Sequence, residues 1–172
     1  MHQQMNWPHA WVAYLIEFHV TRDYFECHEI LEEYWKERTA AGKSEGYWVA
    51  WIQLAVGSYH ARRQNWNGAL KMLAQAQLRF AKEQESIKLL GVDYQRLSLS
   101  IIGMIEAIQD PNPQFVEMDI PLEDEHLMQI VFANGPSITS AQTEPELWEK
   151  HRLRDRSDVL AARQQALETR RK

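Results

Sequence analysis

Three side chains that could carry chemistry fall within residues 28–32 of the sequence. His28, Glu29 and Glu32 lie in a segment whose apolar residues recur with helical spacing. On a helix, His28 and Glu32 are one turn apart and can touch. Both fall inside the arc that the apolar residues Phe25 and Trp35 bound. Imidazole and carboxylate groups directed inward suit metal binding or proton transfer, so this helix contains a candidate site.

A narrow polar stripe runs along the otherwise apolar helix that follows. Gln53, Gly57 and His60 have the spacing i, i+4, i+7, which places them on one helical face. A helix that is apolar almost all round is normally central, and polar groups buried on it need partners. We therefore predict one buried cluster between the second and third helices, formed by His28, Glu29, Glu32, Gln53 and His60.

Two imidazoles with one or two carboxylates suit a divalent transition metal, namely Zn, Fe, Mn or Ni. In this hypothesis the metal ligands are His28, Glu32 and His60. Glu29 is then the general base of a metal-dependent hydrolase and acts on a bound water. The spacing matches neither the His-Glu-x-x-His motif of zincins nor the Glu-x-x-His pairs of di-iron bundles. The further lining residues are Gln53, Arg62 and Trp35.

Other interpretations of the same residues stay open. The cluster can be a buried polar network that fixes helix register, or a metal-free acid–base site. The protein can instead be a helical protein–protein interaction module in which the cluster is purely structural. It can also be a small-molecule binder that uses the tryptophans Trp35, Trp48 and Trp51. Arg62 and Arg63 either offset the negative end of their helix or hold an anionic ligand at the mouth of the cluster.

The composition excludes several classes of protein. The chain has 172 residues, of which 45% are hydrophobic and 25% charged, as in an ordinary globular protein. Its net charge of −5 does not favour binding to nucleic acid. No run approaches the ~20 apolar residues of a membrane helix, and the first residues lack a secretory pattern. The lone Cys27 excludes an internal disulfide and suits a reducing compartment. We predict a cytoplasmic protein that binds neither nucleic acid nor membrane.

Segments of helical length are separated by breaks rich in glycine, asparagine and proline. The alternating pattern of a sheet is missing, so we predict an all-α fold with about five core helices in a compact bundle over residues 1–110. Residues 111–172 form a C-terminal extension that packs on the core or serves as a partner arm, and it ends in a charged helix. The predicted helices span residues 7–20, 23–39, 45–64, 67–85, 93–109 and 123–132, and a last one begins near residue 144.

The C-terminal segment differs in charge from the rest of the acidic chain. Residues 144–172 carry 8 basic and 6 acidic side chains. This pattern is typical of a solvated, salt-bridged helix. It also fits an arm that docks on a protein partner or on the second subunit of a homodimer, and the sequence leaves both interpretations open.

Two ordered signatures stand out across about residues 9–85. The first is Phe25, His28-Glu29, Leu31-Glu32 and Trp35, and the second is Ile52-Gln53-Leu54-Ala55, Tyr59-His60, Arg62, Asn65 and Gly68-Ala69. Together they resemble the signatures of a bacterial family known as domain of unknown function 309. In that family the position before Asn65 is often glycine, and here it is Gln64. The resemblance implies a compact all-helical fold and supports the choice of site residues, and it implies no established reaction or cofactor.

Overall fold

The computed structural model describes residues 6–133, which form seven α-helices and one π-helical turn. No β-strand occurs in this range, where one isolated bridge joins Val92 to Leu122. The predicted all-α class is confirmed. The helices are α1 (His9–Ile16), α2 (Tyr24–Ala40), α3 (Tyr47–Arg62), α4 (Trp66–Lys82), α5 (Gln84–Leu89), α6 (Tyr94–Gln109) and α7 (Glu125–Ala133), and the π-helical turn (Glu17–Thr21) continues α1.

The helix α3 lies at the centre of the bundle because it is apolar on nearly every face. It packs along α4 on one side and along α2 on the other, while α1 packs on α2 and α6 packs on α4. Trp48, Trp51, Leu54 and Ala55 of α3 are all buried. This arrangement places α2 and α3 side by side, as the site prediction requires.

Aromatic side chains fill the core where α1, α3 and α4 meet. The ring centroids of Trp11 and Trp51 are 4.7 Å apart, and those of Trp51 and Phe80 are 4.6 Å apart. Two polar groups of this core have partners, since Tyr14 Oη donates to the carbonyl of Trp51 at 2.9 Å and Trp11 Nε1 donates to that of Leu90 at 3.1 Å. The buried Nε1 of Trp51 has no hydrogen-bond partner among the described residues. Most of the tryptophan surface thus stabilises the core.

Side-chain caps fix where the helices that carry the site begin. A carboxylate or amide oxygen at the N-cap accepts a hydrogen bond from a backbone N–H of the first turn, which has no partner inside the helix. Caps of this kind within residues 6–133 are Asp23 with Glu26 N at 3.0 Å before α2, Asn65 with Gly68 N at 3.2 Å before α4, Asp93 with Arg96 N at 3.1 Å before α6, and Asp124 with Leu127 N at 2.9 Å before α7.

One predicted helix is divided in the structure. The segment predicted over residues 67–85 ends as α4 at Lys82, and α5 begins at Gln84 after a break at Glu83, whose φ is −119°. The change of direction allows Ile87 to be fully buried. Burial of this apolar side chain favours the break over continued helix.

Within residues 6–133, two residues other than glycine have backbone angles in the left-handed region. Gln64 has φ 62° in the turn between α3 and α4, and Arg22 has φ 56° between the π-helical turn and α2. Glycine adopts the left-handed conformation at the lowest energetic cost. This explains why glycine is often found at the position of Gln64 in the family that the sequence resembles.

The described part of the C-terminal extension packs on the bundle. Backbone hydrogen bonds join Asp93 N to the carbonyl of Pro121 at 2.9 Å, and Glu123 N to that of Gly91 at 2.8 Å. The helix α7 packs against α1. Residues 134–172, which include the predicted charged helix and partner arm, lie outside the described residues.

Candidate functional site

Three of the predicted site residues come together on α2. His28 Nε2 lies 3.0 Å from Oε2 of Glu32, and His28 Nδ1 lies 3.5 Å from Oε1 of Glu29. Ligand atoms of the three side chains all lie within 4.8 Å of one another, and residues 6–133 contain no other such group of His, Cys, Asp or Glu side chains. We name these three residues the α2 cluster.

The α2 cluster is partly open to solvent, whereas the sequence predicted a buried cluster. The side chains of His28, Glu29 and Glu32 are 23%, 30% and 35% exposed. The buried face of α2 is instead formed by Cys27 and Leu31. The cluster lies beside this apolar stripe, at the edge of the helix contact, so solutes can reach it.

Two neighbours define the electrostatics of the α2 cluster. Lys36 Nζ lies 2.9 Å from Oε1 of Glu32. This hydrogen bond is the largest cause that lowers the pKa of Glu32, and His28 contributes in the same direction. The carbonyl of Phe25 lies 3.3 Å from His28 Nδ1 and can accept a hydrogen bond from it. Glu32 is therefore a carboxylate at neutral pH, with one oxygen toward Lys36 and the other toward His28.

His60 lies near the α2 cluster but does not join its group of ligand atoms. It lines a cavity of about 210 Å³ between α2 and α3 together with Tyr24, Phe25, His28, Val56, Tyr59 and Arg63. Its Nδ1 lies 3.1 Å from Nδ2 of Asn65. The two imidazoles thus border one cavity from neighbouring helices.

The cap of α4 determines which His60 nitrogen carries hydrogen. Asn65 Oδ1 accepts from the backbone N of Gly68, so the amide group must direct its NH₂ toward His60. His60 Nδ1 is then the acceptor, and the neutral ring keeps its hydrogen on Nε2. Burial, followed by the charge of Arg63, lowers the pKa of His60. The neutral Nε2–H form is a hydrogen-bond donor and has no lone pair at that atom for a metal.

Gln53 contacts α4 rather than the α2 cluster. Its Nε2 donates to Oε1 of Gln75 on α4 at 3.0 Å. The same face carries Gly57, where an added Cβ would lie 2.8 Å from Cδ2 of Leu73, also on α4. This part of the polar stripe therefore faces α4, and Gln53 does not belong to the α2 cluster.

Arg62 and Trp35 also lie apart from the cluster. Arg62 Nη1 donates to the carbonyl of Arg22 at 2.6 Å, and its guanidinium lies 4.6 Å from the centre of the Tyr24 ring. It thereby supports the left-handed residue before α2. Trp35 lines a separate surface depression near Gly46.

Sequence reasoning missed two groups that matter to the site, Lys36 and the amide of Asn65, and it considered Arg62 and Arg63 together as possible anion ligands. Lys36 is four residues after Glu32, and this i, i+4 spacing is a signal that could have identified it. Arg63, rather than Arg62, lines the cavity. The role of Asn65 depends on a turn outside regular helix, for which helical spacing gives no signal.

Fold and site together define a class: an all-α protein with a His/Glu cluster on one helix beside a small cavity. None of the helices within residues 6–133 is both long enough and apolar enough to cross a lipid bilayer.

Residues 11–72 match the family described as Domain of unknown function (DUF309). The chain is also 41% identical over 172 residues to the Uncharacterized protein YpuF of Bacillus subtilis (strain 168), a match that covers 96% of this chain and 98% of that protein. The chain therefore belongs to the DUF309 family. No solved structure gives a significant match.

Proposed function

We propose that the α2 cluster binds one divalent transition-metal ion, of the Zn, Fe, Mn or Ni type, through His28, Glu32 and Glu29. The observation that carries this proposal is the spacing of their ligand atoms, all within 4.8 Å of one another. Ligand atoms around one zinc ion lie about 3–4 Å apart, because each is about 2 Å from the metal. Side-chain rotations would have to bring these three groups to that spacing, and positions for water would remain on the ion.

The backbone supports the orientation that His28 needs for this role. Histidine ligands usually donate their second ring N–H to a carbonyl or carboxylate, which fixes the ring and its tautomer. The carbonyl of Phe25, 3.3 Å from Nδ1, can accept this hydrogen. A metal ion bound to His28 Nε2 and Glu32 would replace the hydrogen between these two groups, whose atoms lie 3.0 Å apart in the free protein.

Lys36 opposes the binding of a cation. Its ammonium group lies 2.9 Å from Glu32 and must move or share the carboxylate when an ion arrives. A divalent ion about 4 Å from a unit charge is repelled by about 2 kcal/mol in a water-like dielectric, so Lys36→Gln is expected to tighten metal binding by up to about thirtyfold. A purely structural cluster gives no reason for this gain.

Calorimetric titration of the full chain with Zn²⁺, Mn²⁺ and Ni²⁺ tests the proposal. We expect one ion per chain for at least one of these metals, with binding weakened by about tenfold or more in His28→Gln and Glu32→Gln. The matched controls are His9→Gln and Glu33→Gln, since both side chains are exposed. His60→Gln should also bind as the unchanged chain does, because His60 lies outside the ligand group. Equal titrations in all variants, or no binding at all, would contradict a metal site at the α2 cluster.

Metal-dependent hydrolysis with Glu29 as general base stays a prediction from the sequence. A base must remain off the metal, so the hydrolytic hypothesis and a three-ligand site make different demands on Glu29. Glu29→Gln separates them, since loss of a ligand weakens metal binding while loss of a base leaves it intact. The interaction module, the C-terminal partner arm and a cytoplasmic location also stay predictions.

A further inference from the structure

We propose that the cavity between α2 and α3 binds a small planar aromatic carboxylate, with its ring against Phe25, Val56 and Tyr59 and its carboxylate at His60 and Arg63. This site shares only His28 with the α2 cluster, and it differs from that cluster in the sign of the charge it would bind. The inference does not depend on the proposed metal function.

The size and lining of the cavity favour one aromatic ring. Its volume of about 210 Å³ is below the range of about 300–1,000 Å³ for sites that hold drug-sized ligands. The rings of Phe25 and Tyr59 contact each other at an interplanar angle of 60°, with centroids 5.8 Å apart, and together they form an aromatic wall to which Val56 adds an aliphatic one. Apolar walls with a few polar groups at one end are the usual construction of a small-molecule site.

The charges around the cavity select an anion. Its ionisable lining residues other than tyrosine are His28, His60 and Arg63, and no carboxylate from the described residues lines it. Glu29 and Glu32 line a separate groove on the outer face of α2. A guanidinium beside an N–H donor is a good partner for a carboxylate, because hydrogen bonds to ionised groups are stronger than those between neutral groups.

The turn between α3 and α4 holds the donor in the required form. Asn65 fixes hydrogen on His60 Nε2 through the cap of α4, so this nitrogen offers an N–H to the ligand. No hydrogen bond from residues 6–133 occupies Nε2. Arg63 lies 5.3 Å from the centre of the Tyr59 ring, where a cation–π contact positions it at the cavity. Asn65 is thus a positioning residue that acts through His60.

Titration of the full chain with benzoate and with benzamide, both in the presence of EDTA, tests the proposal without any metal. Benzamide has nearly the same shape and no charge. We expect benzoate to bind about tenfold more tightly than benzamide, and Arg63→Gln to remove most of this difference. The control Arg96→Gln alters an exposed arginine on α6 and should change nothing. Equal binding of the two compounds, absence of benzoate binding, or full binding by Arg63→Gln would overturn the proposal.

The variant Asn65→Asp tests the role of the tautomer. Aspartate keeps an oxygen for Gly68 N, while its second oxygen must accept a hydrogen bond from His60 Nδ1. Nitrogen-15 NMR should show hydrogen on Nε2 in the unchanged chain and on Nδ1 in the variant above the pKa of His60, and benzoate binding should fall by about tenfold. Gln64→Glu adds the same charge one residue away and should cost less affinity. An unchanged tautomer, or unchanged binding after the tautomer has switched, would contradict the assignment.

Discussion

His19 should make the fold sensitive to mild acid. It lies in the π-helical turn with only 2% of its side chain exposed, and its ring centroid is 5.4 Å from that of Phe132. Neither ring nitrogen has a hydrogen-bond partner among the described residues, and the Asp119 carboxylate is 3.6 Å from Nδ1. Burial is the main cause that lowers the pKa of His19 from 6.5 to about 4, against the opposite effect of Asp119.

The sign and size of the effect follow from the two protonation states. Well above pH 6.5 the ring is neutral in both folded and unfolded chains, so it contributes nothing to the pH dependence of the free energy of unfolding. As pH falls below 6.5, the unfolded chain takes up a proton that the folded chain resists, so the free energy of unfolding decreases. With a folded pKa of about 4, the loss is about 2 kcal/mol at pH 5 and approaches about 3 kcal/mol below pH 4.

Urea unfolding of the unchanged chain and of His19→Leu at pH 7.5 and pH 5 measures this effect. Leucine is close to histidine in volume and does not titrate, so we expect the variant to lose about 2 kcal/mol less than the unchanged chain on acidification. At pH 7.5 the variant should be about as stable, since the replaced nitrogens have no hydrogen bonds to lose. His9→Leu, at an exposed position, is the control. An equal pH dependence for His19→Leu and the unchanged chain would refute the argument.

Four substitutions, measured by urea unfolding, test the packing and the backbone conformations that the structure shows. Gly57→Ala should lower the free energy of unfolding by about 1–3 kcal/mol because its Cβ would meet Leu73. The control Gly103→Ala has open space around its Cβ and should raise the free energy of unfolding by about 0.5–1 kcal/mol. A change of the same sign in both variants would contradict the close approach of α3 and α4. Gln64→Gly should stabilise by about 1 kcal/mol, because glycine relieves the left-handed φ, and a destabilised variant would argue against that conformation. Arg62→Lys should lower the free energy of unfolding by about 2 kcal/mol, because the hydrogen bond from Arg62 to a backbone carbonyl is lost. Metal binding should be unchanged, and a loss of metal affinity would instead place Arg62 at the α2 cluster.

Local spacing predicted those parts of the site that lie on a single helix. The i, i+4 relation of His28 and Glu32 predicts a contact, and the structure places their atoms 3.0 Å apart. The helical extents of α2 and α3 agree with the prediction to within a few residues, because Asp23 begins α2 with a side-chain cap and the Gly42–Gly46 segment interrupts the apolar pattern. Helix ends and contacts within one helix depend on residues that are close together in the sequence, so both can be predicted from the sequence alone.

Contacts between helices could not be predicted from the spacing of residues along one helix. A helical wheel gives the angle of Gln53 and His60 about their own axis but not which neighbour lies at that angle. Gln53 meets α4, whereas His60 faces the cavity beside α2. The partner of His60 is Asn65, which reaches it through the left-handed turn at Gln64. That turn depends on a backbone conformation that the pattern of apolar residues does not encode.

The polar residues His28, Glu32 and His60, which we propose for binding, contribute little to the stability of the fold. Trp11, Tyr14 and Trp51 are fully buried, and burial of such large aromatic side chains dominates the energy of the core. His28 and Glu32 keep partial access to solvent, and an ion pair in that setting contributes only about 0–1 kcal/mol. Substitutions at His28, Glu32 and His60 should therefore leave a folded chain. Changes in metal or benzoate affinity can then be assigned to the sites themselves rather than to loss of structure.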